Sequence, residues 1–337
     1  MSATLRILAA GPGVTIQDRG RNGYLRFGAS EAGAMDRLAY RIANRAVGSP
    51  MDSPALEVSN GGVEVSVEGA PVSIGVAGGA FNVALDGRPM PTACVVPLEP
   101  GMRLSVRAGS AGSWCYLAPA ARIDVAPMLG SIATHTRTAL GGLGGRPLAT
   151  GDALPLFEPH IILGGAAEIV APSAHRDGGP IRVILGPQDD FFAPDQIDAF
   201  LRGPWTVSAR SDRMAYMLDG PKLTHAKGFN IVSDGIAMGA IQVPGAGQPV
   251  VLMADRQPTG GYPKIANVIG VDLGRLAQMR PGDMLQFTAV TVEEAVAARR
   301  QEARLVAEPV TLAPLVRTDL SSEFLLGLNL VDGVTAA

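Results

Sequence analysis

From residue 55 to residue 118 the chain alternates apolar and polar side chains with a period of two, and this pattern constrains its fold most. Val63, Val65 and Val67 alternate with Glu64 and Ser66, and Leu104 and Val106 alternate with Arg103, Ser105 and Arg107. Turn residues interrupt the pattern at Asn60-Gly61-Gly62, Asp86-Gly87 and Pro100-Gly101. Strands this short bury one face each, so they need a sheet that curls into a barrel or stacks as a sandwich. The 42 glycines and 26 prolines are spread over all 337 residues, which extends the same punctuation along the chain. The expected class is mainly β with a few short helices.

Helical signals are few. Asp36 as N-cap, an apolar face of Leu38, Ile42, Ala46 and Val47, and the terminators Gly48 and Pro50 predict one helix, with Asn44 on its solvated face. A short helix is expected around residues 194–201. Thr291 with Glu294 three positions on forms a capping box that opens a helix reaching about Val306. A chain of 337 residues predicts about two domains. A faint echo supports two related β units: Pro100-Gly101-Met102-Arg103-Leu104-Ser105-Val106 resembles Pro281-Gly282-Asp283-Met284-Leu285-Gln286-Phe287. The expected division is a first β domain over residues 1–150, a second β-barrel domain over 151–306, and a C-terminal tail over 307–337. The tail's apolar stripe, Phe324, Leu325, Leu326, Leu328 and Leu330, is expected to pack on the parent domain.

Charge and cysteine usage exclude several classes. A net charge of −3 without Lys/Arg runs argues against nucleic acid or an anionic membrane as partner. The start, Met1-Ser2-Ala3-Thr4-Leu5-Arg6, lacks the apolar core of a signal peptide, and the uncharged run of residues 69–85 is broken by Pro71 and several glycines. Cys94 and Cys115 have no Cys-x-x-Cys spacing and read as reduced thiols of a cytoplasmic protein. His135, His160, His175 and His225 have no metal-ligand spacing, so no metal site is expected. Residues 130–151, with Gly141-Gly142-Leu143-Gly144-Gly145-Arg146, lack the Gly-Lys-Ser/Thr of a phosphate loop. They read as a flexible connection or a partner-facing loop.

Chemistry concentrates in Asp255-Arg256-Gln257-Pro258-Thr259-Gly260-Gly261-Tyr262-Pro263-Lys264. Apolar runs on both sides, residues 248–254 and 265–273, predict two strands joined at this corner. Paired glycines let backbone approach a ligand, and successive N–H groups can form an anion nest. Of the 28 basic residues only Lys222, Lys227 and Lys264 are lysines, which points to a need for a titratable point charge in this region. A plain hairpin with a solvated Asp255 and a surface Lys264 is the competing reading.

Eight segments in order resemble the biotin-dependent carboxyltransferase family, also called allophanate hydrolase subunit 2, in its KipA-type branch, the C component of 5-oxoprolinases. They begin with Gly11-Pro12-Gly13 through Gln17-Asp18-Arg19-Gly20-Arg21, Gly33-Ala34-Met35-Asp36, Ala55-Leu56-Glu57 and Gly186-Pro187-Gln188. Ser211-Asp212-Arg213-Met214, Gly239-Ala240-Ile241-Gln242-Val243-Pro244, residues 255–264 and Leu276-Ala277-Gln278-Met279-Arg280-Pro281-Gly282-Asp283 complete the set. The resemblance implies two cyclophilin-like β-barrel domains. It also implies ATP-driven hydrolysis of 5-oxo-L-proline to L-glutamate, in a complex with a KipI-type partner and a third protein that completes the hydrolase. ATP, with Mg2+ as its companion, would act in that complex. No Met-Lys biotinylation dipeptide occurs, so no covalently attached biotin is expected. Under this reading Asp255, Lys264 and Gln257 are the expected catalytic residues. Gly260, Gly261, Tyr262, Tyr216 and Arg213 are the expected substrate-binding residues. Carboxyl transfer from carboxybiotin, as in urea carboxylase, and a non-catalytic regulatory role beside a KipI-type protein are the alternatives.

Overall fold

The structure is a computed structural model that describes residues 2–162, 165–170 and 178–315. The apolar stripe expected in the tail lies outside the described residues. Two large sheets carry the fold, as the period-two pattern predicts. The first gathers twelve strands around the long antiparallel pair Val72–Leu85 and Arg103–Pro119, in which Ile74 faces Pro119 and Leu85 faces Leu104. Ser2–Ala10 lies between Val63–Gly69 and Ala153–Phe157. The alternation is realised as burial: Val63, Val65, Val67, Leu104 and Val106 all point into the core.

The second sheet has eight strands, in the order Met284–Leu285, Trp205–Val207, Ala215–Asp219, Val250–Leu252, Ala240–Gln242, Lys264–Val268, Ile181–Leu185 and Phe287–Ala289. Its two edge strands are separated in the chain by Gln286 alone. A chain that leaves one edge and rejoins at the other after one residue holds the edges together, so the sheet is rolled into a nearly closed barrel. Val183, Trp205, Val207, Leu218, Ile241, Val251 and Ala266 fill it.

The chain changes sheets at Ile181. Ala153–Phe157 and Ala167–Val170 hydrogen-bond into the first sheet, placing Leu154, Leu156, Ala167 and Ile169 in its core. Thr311–Pro314 returns to pair with Ala167–Val170. The expected boundary at residue 151 and the expected tail from 307 therefore do not coincide with the sheets. The echo between Pro100-Gly101 and Pro281-Gly282 joins a first-sheet strand to a second-sheet edge strand.

Helix α1, Arg37–Ala46, starts at Asp36, whose carboxylate accepts from Ala39 N at 3.1 Å. Asn44 is buried, against expectation, because its Nδ2 reaches Ser53 O beyond the helix at 2.9 Å and Tyr40 O one turn back at 3.3 Å. Helix α2 spans Pro194–Arg202. Helix α3, Leu273–Gln278, begins where the sequence suggested a strand; the strand ends at Val268. Helix α4, Val292–Ala307, opens with both halves of the predicted capping box, Glu294 N to Thr291 Oγ1 at 3.2 Å and Thr291 N to Glu294 Oε2 at 2.8 Å. Arg45 of α1 donates to Val306 O and Ala307 O, covering free carbonyls at the C-terminal end of α4.

Candidate functional site

Arg213 stands at the junction of the two sheets. Its Nε and Nη2 donate to the two oxygens of Asp255 at 3.0 and 2.9 Å, its Nη1 to Glu57, and its Nη2 also to Gly33 O at 2.8 Å. Glu57 sits in the wholly buried strand Ala55–Val58 of the first sheet, whereas Asp255 follows Val250–Leu252 of the second. Burial works against the Arg213 charge, but Asp255 and Glu57 outweigh it and hold the guanidinium protonated. Burial pushes the Glu57 carboxyl up, opposed by Arg213, the Met35 N–H at 2.8 Å and the Tyr116 hydroxyl at 2.7 Å. A buried cation bound by two carboxylates and a carbonyl is a clamp between sheets.

Tyr216 belongs to the same junction. Its hydroxyl donates to Ala277 O at 2.7 Å and accepts from Trp114 Nε1 at 3.2 Å, and burial pushes its pKa up to about 12. Gln278 of α3 completes the seam. Its Nε2 donates to Asp36 Oδ2 at 2.8 Å and Trp114 O at 2.9 Å, and its Oε1 accepts from Ser113 N and Trp114 N. Arg213, Tyr216 and Asp255, expected to bind or act on substrate, therefore hold the two sheets together. Both Asp255 oxygens bind Arg213, so the carboxylate faces the seam and not an open pocket.

Lys264 lies elsewhere. Its side chain is 3% exposed, and its Nζ donates to Asp234 Oδ2 at 2.9 Å. Asp234 itself is 55% exposed, and the hydrogen bond from Lys264, with one from Gly235 N, holds its carboxyl below the usual range. Asp234–Gly235 pairs with Thr259–Gly260 as a two-stranded ribbon that covers the lysine. Gly260 is needed there, since a Cβ would stand 2.6 Å from both Gln242 Nε2 and Ile236 Cδ1. Neither Gly260 nor Gly261 adopts the left-handed conformation on which a nest of the αR-αL kind depends. Gly261 O accepts from Ile231 N at 2.9 Å, and Tyr262 is at the surface. Gln257 is half-buried, and its Oε1 is buried with no hydrogen-bond partner among the described residues. Asp255 and Lys264 thus belong to two separate ion pairs, and the three expected catalytic side chains share no partner.

A cavity of about 720 Å3 opens at the seam beside Gly112, Pro204, Arg275, Gln278 and Met279, and none of the expected catalytic residues lines it. No group of three His, Cys, Asp or Glu is placed to hold a metal ion among the described residues. Sequence reasoning did not single out Glu57 or Gln278 as residues of the seam. For Glu57 a signal was present: one carboxylate inside the otherwise apolar run Ala55-Leu56-Glu57-Val58.

The family profile described as "Carboxyltransferase domain, subdomain A and B" matches residues 27–289. The chain belongs to this carboxyltransferase domain family. Within it, the chain is 38% identical over 300 residues to the C subunit of 5-oxoprolinase from Escherichia coli (strain K12), covering 89% of this chain and 96% of that one. It is 32% identical over 310 residues to the urea amidolyase of Saccharomyces cerevisiae, covering 86% of this chain and 17% of that one. The crystal structure of the K. lactis urea amidolyase superimposes with a TM-score of 0.81 at 29% identity, over 90% of this chain and 20% of that one. A carboxyltransferase domain chain thus spans nearly all of one type of relative and about a fifth of the other.

Proposed function

We propose that the chain is the KipA-type component of an ATP-dependent 5-oxoprolinase, acting with a KipI-type partner and a third protein to hydrolyse 5-oxo-L-proline to L-glutamate. The observation that carries this reading is the 38% identity over 300 residues, which covers 96% of the E. coli 5-oxoprolinase component.

The lactam offers one N–H donor and one carbonyl oxygen on which negative charge grows as water adds and the C–N bond opens. Lys264, once Asp234 swings away, supplies an ammonium for that oxygen. The unpartnered Gln257 Oε1 is an acceptor suited to the lactam N–H. Arg213 and Asp255 are assigned to positioning, since they fix the start of the 255–264 corner to the first sheet. The glycine-rich residues 141–145 are closed by their own hydrogen bonds, Gly142 N to Ile132 O at 2.8 Å and Gly145 N to Gly141 O at 2.7 Å. They do not fit a phosphate cradle, and the nucleotide with its Mg2+ is assigned to another protein of the complex.

The test is reconstitution. This chain, purified with its KipI-type partner and the third protein and supplied with 5-oxoproline and ATP, forms glutamate and ADP, and omission of this chain abolishes glutamate. No glutamate from the full set would overturn the proposal. Carboxyl transfer is the second reading, favoured by the fold match to K. lactis urea amidolyase. It requires carboxylated product from urea or an amide when a biotinylated carrier and its carboxylase are supplied.

A further inference from the structure

Beyond the Lys264 corner, a second pocket, of about 230 Å3, opens between the 18–22 turn and the first half of α1. Arg19, Arg37 and Arg41 line it, together with Asn22, Asp18 and Asp52. Both carboxylates are already occupied. Asp18 accepts from Gly20 N at 2.8 Å, Ser131 Oγ at 2.6 Å and Ile132 N at 2.8 Å, and Asp52 accepts from Arg41 Nε at 3.1 Å and Nη2 at 3.0 Å. Glu31, whose charge acts on Arg37, is paired with Arg256 at 3.2 Å.

Arg37 is left over: no described carboxylate comes within ion-pair distance of its guanidinium. A narrower crevice on its other side is lined by Arg37, Arg41 and Arg299 along with Glu302. Arg299 reaches that crevice from α4 by lying over the backbone of Gly270, where a Cβ would stand 2.4 Å from its Nη1. Burial depresses the Arg37 pKa; Glu31 opposes this, and Arg299, Arg41 and Arg256 add to the depression. A half-buried cation surrounded by like charges is a cost to the free protein that an entering anion relieves.

We propose that the pocket between the 18–22 turn and α1 is a binding site for a small oxyanion, a carboxylate or a phosphate, with Arg37 as its central ligand and Arg19 and Asn22 as flanking donors. Guanidinium groups present paired N–H donors that match both anions. The site is separate from the Lys264 corner and independent of the reaction proposed above.

The test uses the purified full chain and two probes, inorganic phosphate and acetate, each titrated against chloride at constant ionic strength. Heat of binding and thermal midpoint are followed. The expected result is a saturable rise in midpoint with at least one probe; phosphate alone marks a phosphate site and acetate a carboxylate site. Arg37→Gln is expected to unfold at or above the wild-type temperature in chloride and to bind the probe at least 10-fold more weakly. A structural arginine would instead lower the midpoint and leave probe binding unchanged, which overturns the proposal. So does the absence of a saturable response to both probes. Should Arg37→Gln fail to fold, Arg19→Gln on the opposite wall decides, with the same 10-fold weakening expected and wild-type affinity overturning it.

Discussion

Two buried cations in this molecule are kept in opposite ways. Arg213 has two buried carboxylates and a carbonyl, whereas Lys264 has a single carboxylate that is half in water. Removing Arg213 strands Glu57 and Asp255 without a counter-charge. Arg213→Met is therefore expected to cost about 3–5 kcal/mol, read from denaturant unfolding. Lys264→Met, which keeps the buried apolar stem, should change the unfolding midpoint little, because the partner carboxylate is half in water. In the reconstituted complex the same substitution is expected to lower glutamate formation about 100-fold or more. Wild-type turnover would remove Lys264 from the mechanism. The sequence marked Lys264 through the rarity of lysine, and Asp255 and Arg213 through their position at strand ends. It did not show that the last two face each other, because 42 residues of chain separate them and the second carboxylate on Arg213, Glu57, is 156 residues from it.

At the scale of single elements, local rules held where the local signal was complete. The α4 capping box was legible because both of its hydrogen bonds lie within four residues. Thr291→Ala is expected to cost about 1 kcal/mol, measured by chemical denaturation, and Thr291→Ser to recover most of it. Helix α1 was legible in extent but not in orientation. Its buried side is Ala39, Tyr40, Ala43 and Asn44, and the stripe of Leu38 and Ile42 faces α4. A helix covered on two sides defeats a single-face reading of its apolar residues. The strand expected after Lys264 stops at Val268 because Asp272, wholly buried and bound by Arg182 at 2.8 and 3.0 Å, redirects the chain into α3. That partner lies 90 residues away, outside any local window.

For the whole molecule, acid is the informative perturbation. Asp234 and Asp152 titrate below their ordinary value of 3.8 in the folded chain, Asp234 through Lys264 and Asp152 through Arg146. A carboxylate with a depressed folded pKa favours the folded state fully above its unfolded value and loses that contribution as pH falls through the folded one. Stability is therefore expected to drop as the pH is taken from about 5 to about 2, with Asp234→Asn showing a shallower fall in that window. An identical pH profile for the variant would show that the Lys264 contact adds nothing.

The β class and the barrel were legible from the period-two pattern and the turns. The pairing partners were not, because Thr311–Pro314 closes a sheet whose other members end at Val170. That return has a consequence for synthesis. A ribosome making this chain must finish the second barrel before the first sheet receives its outermost strand. For the interval between, Ala167–Val170 presents open N–H and C=O groups to whatever else is nearby. The nascent protein is then most exposed to mispairing with its neighbours, and a chaperone or a waiting partner protein would have most to shield at that point.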